Sequence, residues 1–308
     1  MDPLAIDPLA VTPLSLHIGA EIGGVDLTEP LPPAQLAAIR AALLKWKVVF
    51  FRDQALDHAQ HVAFCRQFGP LTPAHVVFGG DQQYPEIYTV AKHRKANSKR
   101  DQVVLRPWTG WHADITAAIN PPSASVLRGA VVPPYGGDTL WTNLAAAYQA
   151  LSPTLRGFMD TLRGLHRFDA PSGTYKTRAY DEMVEQNVLI TEHPLIRVHP
   201  ETGERVLYCS PSFLKSIVGL SPYESLHLME MLFEHAVRPE FTVRFKWEPG
   251  SIAFWDNRAT AHLAPRDIFE SDFDRQFYRV TLMGDVPVGV DGSQSVAIAG
   301  KPIEAIGE

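Results

Sequence analysis

The chain has 308 residues, 45% hydrophobic and 20% charged, enough apolar material for a sizeable core and the profile of a soluble globular protein. A formal charge of −6 leaves no basic face for nucleic acid. With two cysteines, Cys65 and Cys209, far apart, no cationic n-region at Met1–Pro8 and no apolar run of membrane-spanning length, the sequence suggests neither a disulfide framework nor a Cys-ligated zinc site nor a membrane span; it is expected to be cytoplasmic.

In chain order, Leu14 to Ile22 alternates as a half-buried strand should, and Gly23-Gly24 turns the chain. Helical spacing follows over Ala34 to Trp46 and His58 to Phe68, with the apolar strand Val48 to Phe51 between them. From about residue 84 the text becomes short β-rich runs punctuated by Pro and Gly. They include Ile87 to Val90, Ala124 to Val131, Ile196 to Val198, Val206 to Tyr208, Ser251 to Trp255 and Phe277 to Met283. Helices are expected at Leu144 to Leu151, Pro153 to Leu162 and Tyr223 to His235. Residues 170 to 190 carry little periodicity and read as a mobile flap. The basic run Lys92-His93-Arg94-Lys95 with Lys99 and Arg100 reads as a solvated loop. No linker divides the text, so residues 1 to 308 are taken as one domain, mainly β with α.

Three side chains carry chemistry. In Trp111-His112-Ala113-Asp114, the period of two on an extended strand puts His112 and Asp114 on one face. A third ligand, His262, follows the apolar run Ile252 to Phe254 and the turn Trp255-Asp256-Asn257. Asp256 and Asn257 are expected to satisfy backbone groups in that turn. Two histidines and one carboxylate leave coordination positions open, which suits iron(II) and O2, while zinc with one open position is the competing metal. A cationic anchor for a cosubstrate separates the two readings. Arg275 supplies one, and Arg279 lies on the same face roughly 13 Å further along at about 3.3 Å per residue, so the two should serve different anions.

The chain resembles the taurine dioxygenase group of iron(II)/2-oxoglutarate oxygenases. The resemblance rests on Trp111-His112-x-Asp114, Gly136-Gly137-Asp138-Thr139-Leu140-Trp141-Thr142, His199-Pro200-Glu201-Thr202-Gly203 and Trp255-Asp256-Asn257-Arg258-x-Thr260-x-His262. Arg275-x-x-x-Arg279-Val280-Thr281 and Gly284-Asp285 complete it, in order and over nearly the whole chain. The C-terminal half is similar to bacterial alkylsulfatase-type dioxygenases. The resemblance implies iron ligands His112, Asp114 and His262, and 2-oxoglutarate anchors Thr139 and Arg275, the latter by a bidentate guanidinium. It further implies substrate contacts from Arg279 and from His75, whose spacing is one residue longer than in the taurine enzyme. Trp108 stands where that enzyme has an asparagine against its substrate, so a bulkier or more apolar body than taurine is expected. Other histidines, His199 among them, are read as structural.

The implied fold is a double-stranded β-helix, a jelly-roll barrel with flanking helices. The implied reaction is hydroxylation of a small organic anion, a sulfonate, alkyl sulfate or similar acid, with Fe(II), 2-oxoglutarate and O2. Alternatives are an oxygenase of specialised metabolism acting on an amino-acid-derived or aryloxy acid, a zinc hydrolase on the same triad, and a non-catalytic anion-binding barrel. A homo-oligomer is compatible with the sequence and not determined by it.

Overall fold

The strand Val48–Phe51 shows how the layers are built. Its side chains alternate between two faces: Val48 and Phe50 enter a core with Trp141, Phe245 and Trp255, while Val49 and Phe51 enter another with Ile39, Leu43 and Phe64. Strand Ile252–Asp256 lies antiparallel beside it and repeats the alternation, Ala253 and Trp255 to the first core, Ile252 and Phe254 to the second. The computed structural model describes residues 9–75, 80–92, 106–168 and 178–307.

The largest sheet runs in the order Ala10–Pro13, Ala20–Gly23, Val48–Phe51, Ile252–Asp256, Ala124–Val131, Arg275–Leu282, Tyr88–Lys92. Across the first core lies a three-stranded sheet with Thr139–Asn143 between Thr242–Phe245 and Thr260–Leu263. Aromatic rings fill the space between the two: Phe50 stacks on Phe245 at 4.0 Å and Trp141 meets Trp255 edge-on at 5.6 Å. Helices Pro33–Trp46 and His58–Arg66 cover the other face of the large sheet, the second opened by a capping box of Asp57 and Gln60. Two smaller sheets of four and three strands surround a further core with the helices Leu144–Ala150, Pro153–Met159 and Pro222–Ala236. Among the described residues no helix is long and apolar enough to cross a membrane.

Two expectations are corrected. The single strand from Leu14 to Ile22 is instead a hairpin of Ala10–Pro13 with Ala20–Gly23. The Ser15 hydroxyl donates to the Ile18 carbonyl and accepts from the Ile18 N–H, Leu14 N–H donates to the Gly19 carbonyl, and Gly19 sits at φ +86 with Leu16 83% exposed. Within residues 170 to 190 the structure forms helix Arg178–Gln186, and Val184 packs on a buried cluster of Ile115, Phe168, Leu189 and Phe213. At barely two and a half turns, it is too short to show a period in the text. Residues 169–177 of the expected flap, and residues 93–100 of the basic run, lie outside the described residues.

Candidate metal centre

Strand Thr260–Leu263 pairs His262 with Trp141 on one side and, through an isolated bridge, with His112 on the other. The two histidines exchange backbone hydrogen bonds of 3.0 and 2.7 Å, which fixes their rings 4.2 Å apart. His112 is thus held by one bridge and not by a regular strand, and the chain turns immediately afterwards, with Ile115 at φ 47. This turn carries Asp114 into the interior. Among the described residues, His112, Asp114 and His262 form the one cluster with metal-ligating geometry, their ligand atoms all within 4.8 Å of one another.

The surroundings specify which atoms face the centre. His112 Nδ1 lies 2.9 Å from the Gly110 carbonyl, so Nδ1 carries the proton and Nε2 keeps its lone pair. Burial and the neighbouring His112 push His262 down to about 3, so its imidazole is neutral. Asp114 Oδ1 stands 4.0 Å from His262 Nε2, whereas Oδ2 accepts a 2.6 Å hydrogen bond from the Ser125 hydroxyl. Burial opposes charge on Asp114, but Arg279 and the two imidazoles outweigh it and hold the carboxyl well below the usual carboxylate range. Two imidazoles and one ionised carboxylate on a common point fit a divalent ion, and the donor set suits iron(II).

A directed chain of hydrogen bonds stands behind Asp114. The Trp255 indole can only donate, and it donates to Asn257 Oδ1 at 2.8 Å; Asn257 Nδ2 therefore donates to Ser125 Oγ at 2.7 Å, leaving the Ser125 proton for Asp114. Sequence reasoning missed Ser125, whose signal is a hydroxyl fully buried in the otherwise apolar run from Ala124 to Leu127. It also read Asn257 as a backbone-satisfying turn residue. The structure corrects this: the Asn257 side chain spends its bonds on Trp255 and Ser125, 132 positions away.

Arg275 is buried, its guanidinium 3.9 Å over the Phe277 ring and its Nε donating to the Gly137 carbonyl at 3.1 Å. Burial lowers it to about 10, against the pull of Asp138, so it remains a cation. Asp138 itself pairs with Arg244 at 2.6 Å, and no carboxylate among the described residues pairs with Arg275. Phe277 leads to Trp247 at 4.7 Å, whose indole donates to the hydroxyl of buried Thr139 at 3.0 Å. That hydroxyl retains its own proton for an anion. The structure thus links Thr139 and Arg275 through two aromatic rings, a pairing that suits a carboxylate ligand.

Arg279 is placed on Asp114, Nη1 to Oδ1 at 2.5 Å, with its guanidinium 5.2 Å from the Tyr88 ring. His75 lies 5.1 Å from Tyr88 and 5.9 Å from Phe168, and burial together with the Arg279 charge pushes it down to about 4. It borders a cavity of about 860 Å³. Trp108 is not brought to this group: its half-buried ring packs on Phe233 of helix Pro222–Ala236 at 6.2 Å. His199, read as structural, binds Asp256 Oδ2 at 2.9 Å beneath the turn that delivers His262.

The comparisons with known proteins agree with this geometry. The family described as taurine catabolism dioxygenase TauD, TfdA matches residues 10–281, and the chain belongs to it. An alpha-ketoglutarate-dependent sulfate ester dioxygenase of Pseudomonas putida is 41% identical over 91% of this chain and 91% of its own length. An alkylsulfatase of Acinetobacter baylyi is 35% identical over 95% of this chain and 90% of its own. A solved taurine dioxygenase from Burkholderia xenovorans is 64% identical and superposes with a TM-score of 0.85, covering 96% of both chains. The protein is a 2-oxoglutarate-dependent dioxygenase whose reaction draws on Fe(II), 2-oxoglutarate and O2. Family membership thereby decides between the iron oxygenase and the zinc hydrolase that the triad alone left open.

Proposed function

We propose that the protein oxidises a small alkyl sulfate or sulfonate at the carbon bearing the sulfur oxyanion. The reading is carried by the half-buried His112 and the buried Asp114 and His262 set beside two arginines, of which Arg275 has no carboxylate partner among the described residues. When bound, iron(II) with 2-oxoglutarate and O2 supplies the oxidation that places a hydroxyl on that carbon and releases succinate and CO2.

The chain's own residues do the rest. Arg275 and Thr139 hold the distal carboxylate of 2-oxoglutarate. His112, Asp114 and His262 hold the metal, with Ser125 occupying Oδ2 and Arg279 bonded to Oδ1, the oxygen that faces His262 Nε2. Arg279 and His75 receive the sulfur oxyanion, His75 at the edge of the cavity. In a sulfate ester, loss of the new hydroxyl proton forms C=O as the C–O bond to sulfate breaks, giving an aldehyde and sulfate. The two facing sheets are taken as the double-stranded β-helix, and the whole chain as one domain working in the cytoplasm.

The solved relative named as a taurine dioxygenase favours a second reading, taurine itself. The test is succinate formation with taurine, alkyl sulfates, alkylsulfonates and aryloxy acids in parallel. Alkyl sulfates should support the fastest turnover, and a clear preference for taurine would replace the first reading by the second. Arg275→Ala should weaken 2-oxoglutarate by about a hundredfold with iron binding retained, since truncating one side of a buried charge pair costs a few kcal/mol. An unchanged 2-oxoglutarate titration would move the anchor to Arg279.

A further inference from the structure

The family match ends at residue 281, yet the chain that follows returns to the candidate site. Val288–Gly289 joins strand Ile196–Val198, and Val296–Ala299 pairs with strand Ile190–Pro194 as the edge of its four-stranded sheet. Beyond them the backbone of Ile303 is clamped from both sides by one buried side chain: Asn120 Oδ1 accepts from Ile303 N–H at 2.8 Å and Asn120 Nδ2 donates to the Ile303 carbonyl at 2.9 Å. Asn120 lies six residues after Asp114, so the tail is fastened to the loop that carries two of the metal ligands. Gly300, at φ +97, lies so close to Leu189 that a Cβ there would meet it at 2.6 Å.

This fastening gives the 860 Å³ cavity its second wall. One side is formed by His75, Val188 and Leu189, the other by residues Ala299 to Glu304. The end at His75 senses the charges of Arg279 and Asp114. The buried Leu189 and Ile303 belong to one apolar cluster with Phe168 and Phe213, and the Phe213 ring is 6.5 Å from that of His112. Gln186, Lys301 and Glu304 contribute polar groups to the lining. The volume falls among those of pockets that enclose drug-sized ligands, far beyond the needs of a two-carbon sulfonate.

We propose that the C-terminal segment 299–304, clamped by Asn120, is the outer wall of the substrate pocket and selects sulfur oxyanions with an extended alkyl body. This rests on the reading of the site given above. The head group meets Arg279 and His75 while the chain runs between Leu189 and Ile303. Trp108 then has no part in holding that body.

The experiment uses the full chain with iron(II) and 2-oxoglutarate, and measures KM and succinate yield for linear alkyl sulfates from ethyl to octyl. In the parent, KM should fall by about fourfold for each added methylene until the pocket is filled. Ala299→Trp, which narrows the cavity from the tail side, should stop that fall at a shorter chain, and Asn120→Ala, which frees the tail, should flatten it, with the 2-oxoglutarate KM within twofold of the parent in both. Ala299→Trp keeps the question answerable if Asn120→Ala proves too unstable. A parent whose KM ignores chain length, or an Ala299→Trp protein with the parent's cut-off, overturns the tail wall while leaving sulfate turnover standing. If no sulfate or sulfonate of any length yields succinate, the proposed function itself is wrong and the tail wall falls with it.

Discussion

Two fully buried aspartates, Asp114 and Asp256, sit on either side of the turn that delivers His262, and their surroundings assign them opposite tasks. Asp256 is saturated by the chain. Its Oδ1 accepts from Arg258 N–H and Nε, both at 2.9 Å, and its Oδ2 from His199 Nε2 at 2.9 Å and Arg258 Nη2 at 2.7 Å. His199 Nδ1 accepts from the backbone of Glu201 and Thr202, which leaves its proton on Nε2, and Arg258 continues to Glu201 at 2.7 Å. Burial opposes ionisation of both carboxyls, and Arg258 and His199 hold Asp256 low as Arg279 and the imidazoles hold Asp114. What differs is saturation. Asp114 has one oxygen on Ser125 and the other on Arg279 while it still faces two imidazoles, with all three ligand atoms within 4.8 Å of one another. A carboxylate with all its acceptor sites filled braces the fold; one left facing other donors of lone pairs waits for a cation.

The comparison breaks most visibly at the triad. Replacing His112, Asp114 or His262 by Ala should drop succinate formation to background and remove tight iron(II) binding in an anaerobic titration, with the urea midpoint of the metal-free protein close to the parent's for the two histidine variants and lower for Asp114→Ala, which takes the carboxylate from Arg279. Asp114→Ala that binds iron as the parent does would end the assignment. Asp256→Ala should do the converse. It leaves Arg258, 9% exposed, with Glu201 in place of two carboxylate partners and removes the acceptor of buried His199, and costs about 3–5 kcal/mol of stability, read as a lower urea midpoint. Iron affinity of the protein that remains folded should change much less than stability does. If Asp256→Ala unfolds at the parent's midpoint, the brace is not one.

A finer cut lies between the two aspartates, at Ser125. Removing its hydroxyl frees Asp114 Oδ2 and leaves Asn257 Nδ2 without its acceptor, so Ser125→Ala should weaken iron(II) by about 10–100-fold, the range typical of groups that orient a ligand. Titration with Co(II), followed by its visible absorption, reports the change independently of turnover. A spectrum and affinity identical to the parent's would reduce Ser125 to packing.

These cases show what a sequence exposes. The cluster of His112, Asp114 and His262 was legible because His112 and Asp114 are two apart and His262 closes a short motif. The hairpin at Gly19 was not legible: residues 14 to 22 alternate well, and the turn depends on the Ser15 hydroxyl reaching Ile18. Nor was the Ser125 to Asn257 contact, since it spans 132 positions and pairs side chains that each look ordinary locally. Trp108 read as a pocket wall by position alone, and its partner Phe233 comes from a helix more than a hundred residues later. Long-range partners decide such roles, and spacing is silent about them.

Buried histidines outside the centre carry a smaller, pH-dependent version of the same contrast. His193 lies fully buried with Nε2 2.7 Å from the Thr116 carbonyl and Nδ1 2.6 Å from the Ser295 hydroxyl, so it joins the metal-ligand loop to the C-terminal segment. Burial lowers its pKa to about 3, reinforced by Arg197 and only partly opposed by the Thr116 carbonyl. In the unfolded chain the same group titrates near 6.5. Between these values the unfolded chain holds a proton that the folded chain refuses, so stability is full above pH 6.5 and declines as pH falls toward 3. From pH 7 to 5.5 this one group should remove about 1 kcal/mol, by the linkage of 1.36 kcal/mol per pH unit once the unfolded form is protonated. Urea midpoints measured across that range for the parent and for His193→Asn should diverge: the variant loses stability overall, but its decline with pH should be shallower by one proton. Parallel declines in the two proteins would mean that His193 titrates alike in both states, and that its place between loop and tail has no consequence for acid stability.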